Sequence, residues 1–341
     1  MSRIRRPLLL ALLTLVALIA VGCVAEDFPQ STLAPKSDFT RLIDDLFQFI
    51  VLLAVIVWVV VTGVLVYALV RFRSRPGDQL PTQVHGHTRL EIGWTILPVL
   101  IFAAIAVPTV EAIFRVDTIP STASMRVNVV GKQWWWEFQY QGLNIVTANE
   151  LHVPVGETVG LELQSDNVIH SFWIPRLAAK RDMIPGRAGP SGQFNILWFT
   201  AEQPGEYIGQ CAEFCGTSHA NMRAKVIVHS KADFDAWVRK QQAPAPAPTT
   251  PETQRGMQLV TQGACIGCHT INGTAAQGKV GPNLTDFGNH TTVATIKENN
   301  AENLKAWIRN PQEFKPGALM PNLGLPEEDL NAITAYLLSL K

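Results

Sequence analysis

Between Cys211 and Met222 the chain reads Cys-Ala-Glu-Phe-Cys-Gly-Thr-Ser-His-Ala-Asn-Met, gathering Cys211, Cys215, His219, Met222 and the backbone or side chain of Glu213 into one turn region. Thiolate, thioether and imidazole donors suit copper, and such a set is hard to explain as core packing. Two cysteines with three residues between them on a loop can bridge two metals as well as surround one. The competing reading is a disulfide beside a bystander histidine. The ligand types favour electron transfer at copper.

A second constellation, Cys265-Ile-Gly-Cys268-His269, is the attachment signature of a c-type haem. Its thiols form thioethers to the porphyrin vinyls, which places His269 beneath the iron. A zinc half-site would need a second ligand pair, which is missing. The segment Gly281-Pro282-Asn-Leu284 can offer a backbone carbonyl to the other nitrogen of His269, fixing its tautomer and raising its basicity. Met320 lies 51 residues beyond His269 and is the expected sixth ligand. Met/His ligation raises a haem potential, as suits an electron carrier. Met257 sits too close before the attachment site to compete, and His290 is expected on the solvent face of a loop.

The elements that must position these groups fall in blocks. The 341 residues suggest two or three domains. The net charge of zero gives nucleic acid no electrostatic footing. Arg3, Arg5 and Arg6 precede an uncharged run from Leu8 to Val24, the layout of a signal peptide over residues 1–24. Ala20-Val-Gly-Cys23 is similar to a bacterial lipobox, with Cys23 as the lipidated residue and Ala20 departing from the usual Leu; ordinary cleavage nearby, or none, is the alternative.

Two charge-free stretches, about 46–70 and 92–110 within residues 40–118, are long enough to cross a bilayer. Arg71, Arg73, Arg75 and Arg89 lie between them, so the positive-inside rule places that loop in the cytoplasm and the remainder of the chain outside. Over 124–240 the pattern changes to short alternating segments, as in Arg126–Val130, Glu157–Leu163, Gln193–Phe199 and Arg223–Val228, with turns at Pro154–Glu157 and Gln203–Glu206. This spacing predicts a cupredoxin-like antiparallel β-sandwich, with the thiol loop between its last two strands and His170 approaching from an earlier connection. Residues 241–251, Gln-Gln-Ala-Pro-Ala-Pro-Ala-Pro-Thr-Thr-Pro, read as an extended linker reaching roughly 34 Å. Residues 252–341 then turn helical, closing on a helix with Pro326 and acids at its start and an apolar stripe from Leu330 to Leu340. The fold class expected is multi-domain: a transmembrane hairpin of two helices, a β-sandwich, and an all-α C-terminal domain.

These segments resemble subunit II of the haem–copper cytochrome c oxidases with a fused class I cytochrome c. The resemblance is carried by Arg89-Leu-Glu-Ile-Gly-Trp-Thr-Ile-Leu-Pro98, Gly131-Lys-Gln-Trp134-Trp-Trp136-Glu-Phe, Asp166-Asn-Val-Ile-His170-Ser-Phe-Trp-Ile-Pro175, Ile184-Pro-Gly-Arg187 and Tyr207 through Met222. It covers nearly the whole chain after Asp38. It implies a dinuclear CuA centre with Cys211 and Cys215 as bridges, His170 and His219 as terminal ligands, and Met222 and the Glu213 carbonyl as weak outer ligands. It also implies a magnesium ion that the Glu213 carboxylate shares with subunit I, and Trp134 as the electron entry, against a plain core tryptophan. Glu91 matches the carboxylate at the mouth of a proton channel, or is simply an interfacial charge at a helix end. The middle residue of the aromatic triplet is often tyrosine in the family; Trp135 departs from that.

The function so implied is electron entry into a proton-pumping terminal oxidase of a bacterial inner membrane, the copper and haem domains facing the periplasm. The partners implied are subunit I, other oxidase subunits, membrane lipid, and a cytochrome c or reductase as donor. The chain is not catalytic alone, because it lacks the histidine-bearing helices that oxygen reduction needs. A nitrous oxide reductase would require a large His-rich domain, a copper chaperone would carry no covalent haem, and a quinol oxidase subunit would lack the copper cysteines.

Overall fold

The computed structural model describes residues 28–74, 76–77, 79, 82–186 and 194–341. Cys23, with the whole 1–24 segment, and also Arg75 and Arg187 lie outside them. Residues 41–118 form one unit; 28–40 and 119–341 form another.

The first unit holds most of helix α1 (Asp38–Arg71) and all of α2 (Thr88–Val116). At 1.5 Å per residue they are ~51 and ~44 Å long, more than a hydrocarbon core requires. Neither has the polar stripe of a surface helix, and their side chains are exposed almost throughout. Helix α2 starts on a reciprocal cap: His87 Nδ1 accepts from the Leu90 N–H at 3.3 Å, and Glu91 Oε1 accepts from the His87 N–H at 3.1 Å. Glu91 is therefore a capping residue of this helix.

The second unit begins with the N-terminal turn of α1, whose Phe39 is 1% exposed and meets Trp198 edge-on at 5.3 Å. Two five-stranded sheets follow. One is ordered β3 (Ile145–Ala148), β2 (Trp135–Tyr140), β1 (Met125–Lys132), β5 (Thr158–Ser165), β8 (Asn195–Thr200). The other is ordered β4 (Glu150–Pro154), β10 (Arg223–His229), β9 (Gly205–Cys211), β6 (His170–Ile174), β7 (Ala178–Met183). Alternate residues such as Val127, Val129, Leu161, Leu163, Val226 and Val228 are buried, which packs the sheets face to face. The sheets are mixed where the sequence suggests only antiparallel pairs: β1 pairs with β5, and β4 with β10, in parallel. Parallel neighbours arise here because the chain leaves for the opposite sheet and returns between them. The first such crossing turns on Asn149 at φ 64, whose side-chain carbonyl accepts from the Trp136 N–H at 3.1 Å.

Helix α3 (Lys231–Gln242), which the sequence reading leaves inside the strand-rich block, is started by Ser230 and lays Trp237 flat on His152 at 4.5 Å. Residues 243–250 hold no helix or strand. Helix α4 (Pro251–Gln262) opens on a Thr250–Thr253 capping box with proline in the first turn. Helices α5 (Ala301–Arg309), α6 (Pro311–Phe314) and α7 (Glu327–Ser339) complete the C-terminal part. Its core joins Val260, Ile271, Leu304, Ile308, Ile333, Tyr336 and Leu337.

Candidate metal centre and haem pocket

The loop after β9 brings its ligand types together on a strand framework. Cys211 ends β9, and its N–H donates to the Met222 carbonyl at 2.9 Å, closing the loop at its base. Cys211 Sγ and Cys215 Sγ stand 3.7 Å apart. Cys211 Sγ lies 3.9 Å from His170 Nδ1 and 3.1 Å from the Glu213 carbonyl, while Cys215 Sγ lies 3.5 Å from His219 Nδ1 and 3.8 Å from Met222 Sδ. The thiols are free, as a metal site requires and a disulfide does not.

His170, fully buried, is the first residue of β6, so a strand rather than a connection delivers it. Its Nε2 is 3.0 Å from Asn167 Oδ1; donation of Nε2–H to that carbonyl leaves Nδ1 with a lone pair toward Cys211. Across the sandwich Gly131 makes room for the ring: a Cβ there would stand 2.8 Å from His170 Cδ2. The Glu213 side chain is exposed while its carbonyl faces the thiols, so its two oxygen types are turned to different tasks. The thiol–thiol hydrogen bond draws Cys211 below the ordinary thiol range and pushes Cys215 above it. One thiolate is thus formed readily, and a metal is what would draw off the second proton.

The haem signature lies at the end of α4, with Ala264–Gly267 in a short 3-10 turn. His269 is largely buried, which pushes its pKa below the ordinary value, so the ring is neutral. Its Nδ1 donates to the Pro282 carbonyl at 2.8 Å, the acceptor the sequence reading places in this segment, and Nε2 is left as the ligand atom. Gly281 lies against the ring: a Cβ there would come 2.7 Å from His269 Cε1. A cavity opens above, lined by Cys265, Cys268, His269 and Met320 and walled by Leu284, Val293, Leu304, Trp307 and Ile308. Two thiols, one neutral imidazole, a thioether and an apolar wall fit a covalently held porphyrin. His290 differs from its expected place on the solvent face: it lines this cavity and stacks on Phe287 at 5.8 Å, because a short 3-10 turn over Phe287–Asn289 brings the His290 N–H back to the Phe287 carbonyl.

Trp134 stands between the two. It lies in the turn before β2, is 7% exposed, and donates its indole N–H to the Cys215 carbonyl at 3.0 Å. Gln133 donates to the same carbonyl at 2.7 Å. The C-terminal domain closes on this turn: Lys315 Nζ donates to the Trp134 carbonyl at 2.7 Å, the Ser218 hydroxyl to the Pro316 carbonyl at 2.9 Å, and the Asn221 amide to the Phe314 carbonyl at 3.3 Å. Gln133, Trp134 and Trp135 are accordingly part of the haem-cavity wall. Of the three consecutive tryptophans, Trp136 is the core residue at 0% exposure, and Trp135 lies half-buried under the Lys132 ammonium at 5.0 Å. Sequence reasoning missed Asn167, Gln133, Gly131 and Lys315. Only Gly131 carried a signal, a glycine inside a strand pattern, which marks a close approach.

Three family models match in chain order: cytochrome c oxidase subunit II, transmembrane domain, over residues 30–112; its periplasmic domain over 143–230; and cytochrome c over 253–341. Cytochrome c oxidase subunit 2 of Alkalihalophilus pseudofirmus is 38% identical over 336 residues, covering 96% of both chains. The Bacillus subtilis protein of the same name is 35% identical over 98% of this chain and 97% of its own. Among solved structures, the periplasmic domain of subunit II of cytochrome oxidase from Bradyrhizobium japonicum is 30% identical over 37% of this chain and 97% of that one, with a TM-score of 0.34. Helices, sandwich and haem-type domain follow one another in the order of these models, and the full-length relatives carry all of it. The chain belongs to the cytochrome c oxidase subunit II family and ends in a cytochrome c domain.

Proposed function

We propose that this chain is the electron-entry subunit of its oxidase, taking electrons at a haem c in residues 252–341 and delivering them to a dinuclear CuA centre in residues 124–240. It is a membrane protein and a subunit of a haem–copper terminal oxidase, with a role in electron transfer. The observation that carries the finer reading is that Trp134 touches both sides: its indole N–H reaches the carbonyl of Cys215, and its own carbonyl is held by Lys315 beside the haem cavity.

Cys211, Cys215, His170, His219, Met222 and the Glu213 carbonyl would hold two coppers, and Cys265, Cys268, His269 and Met320 the haem. Bound there, each group would supply one-electron redox chemistry. The residues do the rest. Asn167 and Pro282 orient the two histidines, the buried sandwich floor under Met222 keeps water from the sulfurs, and Trp134 supplies a covalent and hydrogen-bonded connection in place of a gap. The exposed Glu213 carboxylate would share a magnesium ion with subunit I, and Glu91, besides capping α2, would stand at the entrance of a proton path there. Reduction of oxygen to water and proton pumping are assigned to subunit I. The helices of residues 40–118 would lie in a bacterial inner membrane with the thiol loop on the periplasmic side, Cys23 lipidated, and a cytochrome c or reductase as donor.

Anaerobic reductive titration of the purified oxidase, followed by optical and spin-resonance spectra with metal analysis, tests this. Two coppers and one haem c per chain, with the unpaired electron shared over both coppers, are expected. A single copper per chain would overturn the dinuclear assignment.

A further inference from the structure

Buried charges in the second unit are almost all paired. Glu137 meets Lys132 at 2.9 Å, Asp286 meets Lys240 at 3.0 Å, and Glu150 accepts from the N–H and hydroxyl of Thr291 at 3.0 and 2.8 Å. Lys315 is the exception. It is 4% exposed, its ammonium donates to the Trp134 carbonyl at 2.7 Å, and Thr295 Oγ1 lies at the 3.5 Å limit. Among the described residues no carboxylate pairs with it, and an ammonium has three N–H groups to satisfy. Burial alone pulls its pKa down to about 7, with no acidic neighbour to hold it up. An unpaired buried cation is costly, so a buried ammonium calls for an anion to meet it.

The place where an anion would arrive is visible. Lys315 lines the cavity that also holds Cys265, Cys268, His269 and Met320, and among the described residues it is the only lysine or arginine in that wall. The other polar wall groups are the uncharged Gln133, Asn149, Asn283 and Thr292, with His269 and His290 as the further titratable nitrogen bases. Haem c carries two carboxylates on its propionate arms and is otherwise apolar. We propose that Lys315 is a positioning residue that binds a haem propionate and holds that carboxylate against the backbone of Trp134. This rests on the haem c reading given above. One ammonium shared by a propionate and the Trp134 carbonyl would fix the haem to the turn that touches Cys215, so haem seating and domain docking become a single event. It also explains why a lysine sits where none of the described carboxylates reaches it.

The test uses the whole oxidase with haem labelled with 13C at its propionate carboxyls. Pyridine haemochrome analysis comes first: a wild-type chain without covalent haem sinks the haem reading itself and this proposal with it. With haem present, Lys315→Met is expected to shift the carboxylate bands in the redox-difference infrared spectrum. It should also lower the reduction equilibrium of the haem about tenfold, ~59 mV for one electron. Lys315→Arg should keep both near wild type, because its guanidinium retains the charge and the donors. Unchanged carboxylate bands and potential in Lys315→Met would overturn the assignment. Should that variant fail to assemble, solid-state NMR on 15N-lysine wild type decides. A dipolar coupling between one lysine 15N and a propionate 13C that is absent in Lys315→Arg supports the proposal, and no such coupling overturns it.

Discussion

Two cysteine pairs with a histidine beside each serve this chain, and they are built by opposite means. The thiol loop is held from outside: β9 ends on Cys211, β10 begins right after Met222, and β6 brings His170 from 41 residues upstream. Each of its donors already stands within 4 Å of one of the two thiols, and the site needs only a metal in place of thiol protons. The haem site is local in sequence at its attachment end and is a lined cavity, not a cluster. Leu284, Val293, Leu304 and Ile308 belong at once to the cavity wall and to the domain core. In the first region the fold makes the site. In the second, on the proposed reading, a ligand would complete the fold.

The sharpest way to break that contrast is to remove the cysteines from each. In the Cys265→Ala/Cys268→Ala chain the apolar wall loses what it packs against, and the C-terminal helices should lose protease resistance and much of their helical circular dichroism. Cys211→Ser/Cys215→Ser should lose copper while the sandwich keeps its near-ultraviolet signature from Trp136 and Trp198. A folded C-terminal domain without haem would show that its core is self-sufficient, and the comparison would fail.

Next in size are the thioethers. Met320→Leu should convert the haem to high spin, with optical loss of the low-spin bands, because the iron loses a full axial ligand. Met222→Leu, of similar volume and 0% exposed in the wild type, should leave two coppers bound and move only their spectrum and potential, as expected when the removed ligand is a long, weak one. An unchanged haem spectrum in Met320→Leu would shift the assignment to Met257 or His290. Of these, His290 is the one lining the cavity.

The two glycines that face a histidine sharpen the contrast further. Gly131 is paired on both sides within its sheet, to Trp136 and to Ser165, so an added methyl has no backbone freedom to absorb it. Gly131→Ala should displace His170 and cost about 1–3 kcal/mol, read as a lower melting temperature and a changed copper hyperfine pattern. Gly281 sits in a segment without regular structure, and Gly281→Ala should cost less, since the loop carrying Pro282 can give by a few tenths of an ångström. Equal losses in both would mean the haem loop is as stiff as the sheet.

How much of this was legible in sequence follows the same division. The haem attachment motif, the thiol loop and the hydrophobic spans announce themselves because their chemistry is local in the chain. The carbonyl of Pro282 could be anticipated for the same reason. What stayed hidden depends on distance in sequence. Asn167 orients His170 from across a turn, Gly131 touches it from the other sheet, and Lys315 meets Trp134 across 181 positions. Strand alternation predicts a sandwich yet gives no hint that β1 and β5 run parallel, because register and direction are settled by the crossings between sheets. Helix α3 was missed for a different reason. Its polar face is long, and its apolar anchors are few, Phe234 and Trp237, the second of which declares itself only when His152 is beneath it.

The smallest effect tests the seam where the two regions meet. His152 stacks between Trp237 and His229, with its Nδ1 2.8 Å from His229 Nε2, Glu150 carboxylate 3.9 Å from its Nε2, and His290 of the cavity wall close enough to add repulsion. Burial first, then the charges of His229 and His290, hold its pKa well below 6.5. The folded chain therefore keeps His152 neutral while the unfolded chain takes up a proton as pH falls through 6.5. Stability is whole above that pH and declines below it until the folded pKa is reached, by at most ~1.4 kcal/mol per pH unit for one proton. Thermal melting of the detergent-solubilised chain between pH 7.5 and 5.5 should show this fall. His152→Gln, which cannot titrate, should show a shallower one from a lower starting point. A slope identical to wild type would mean that His229 or the surrounding carboxylates carry the acid sensitivity, and that the seam is neutral to the protonation of His152.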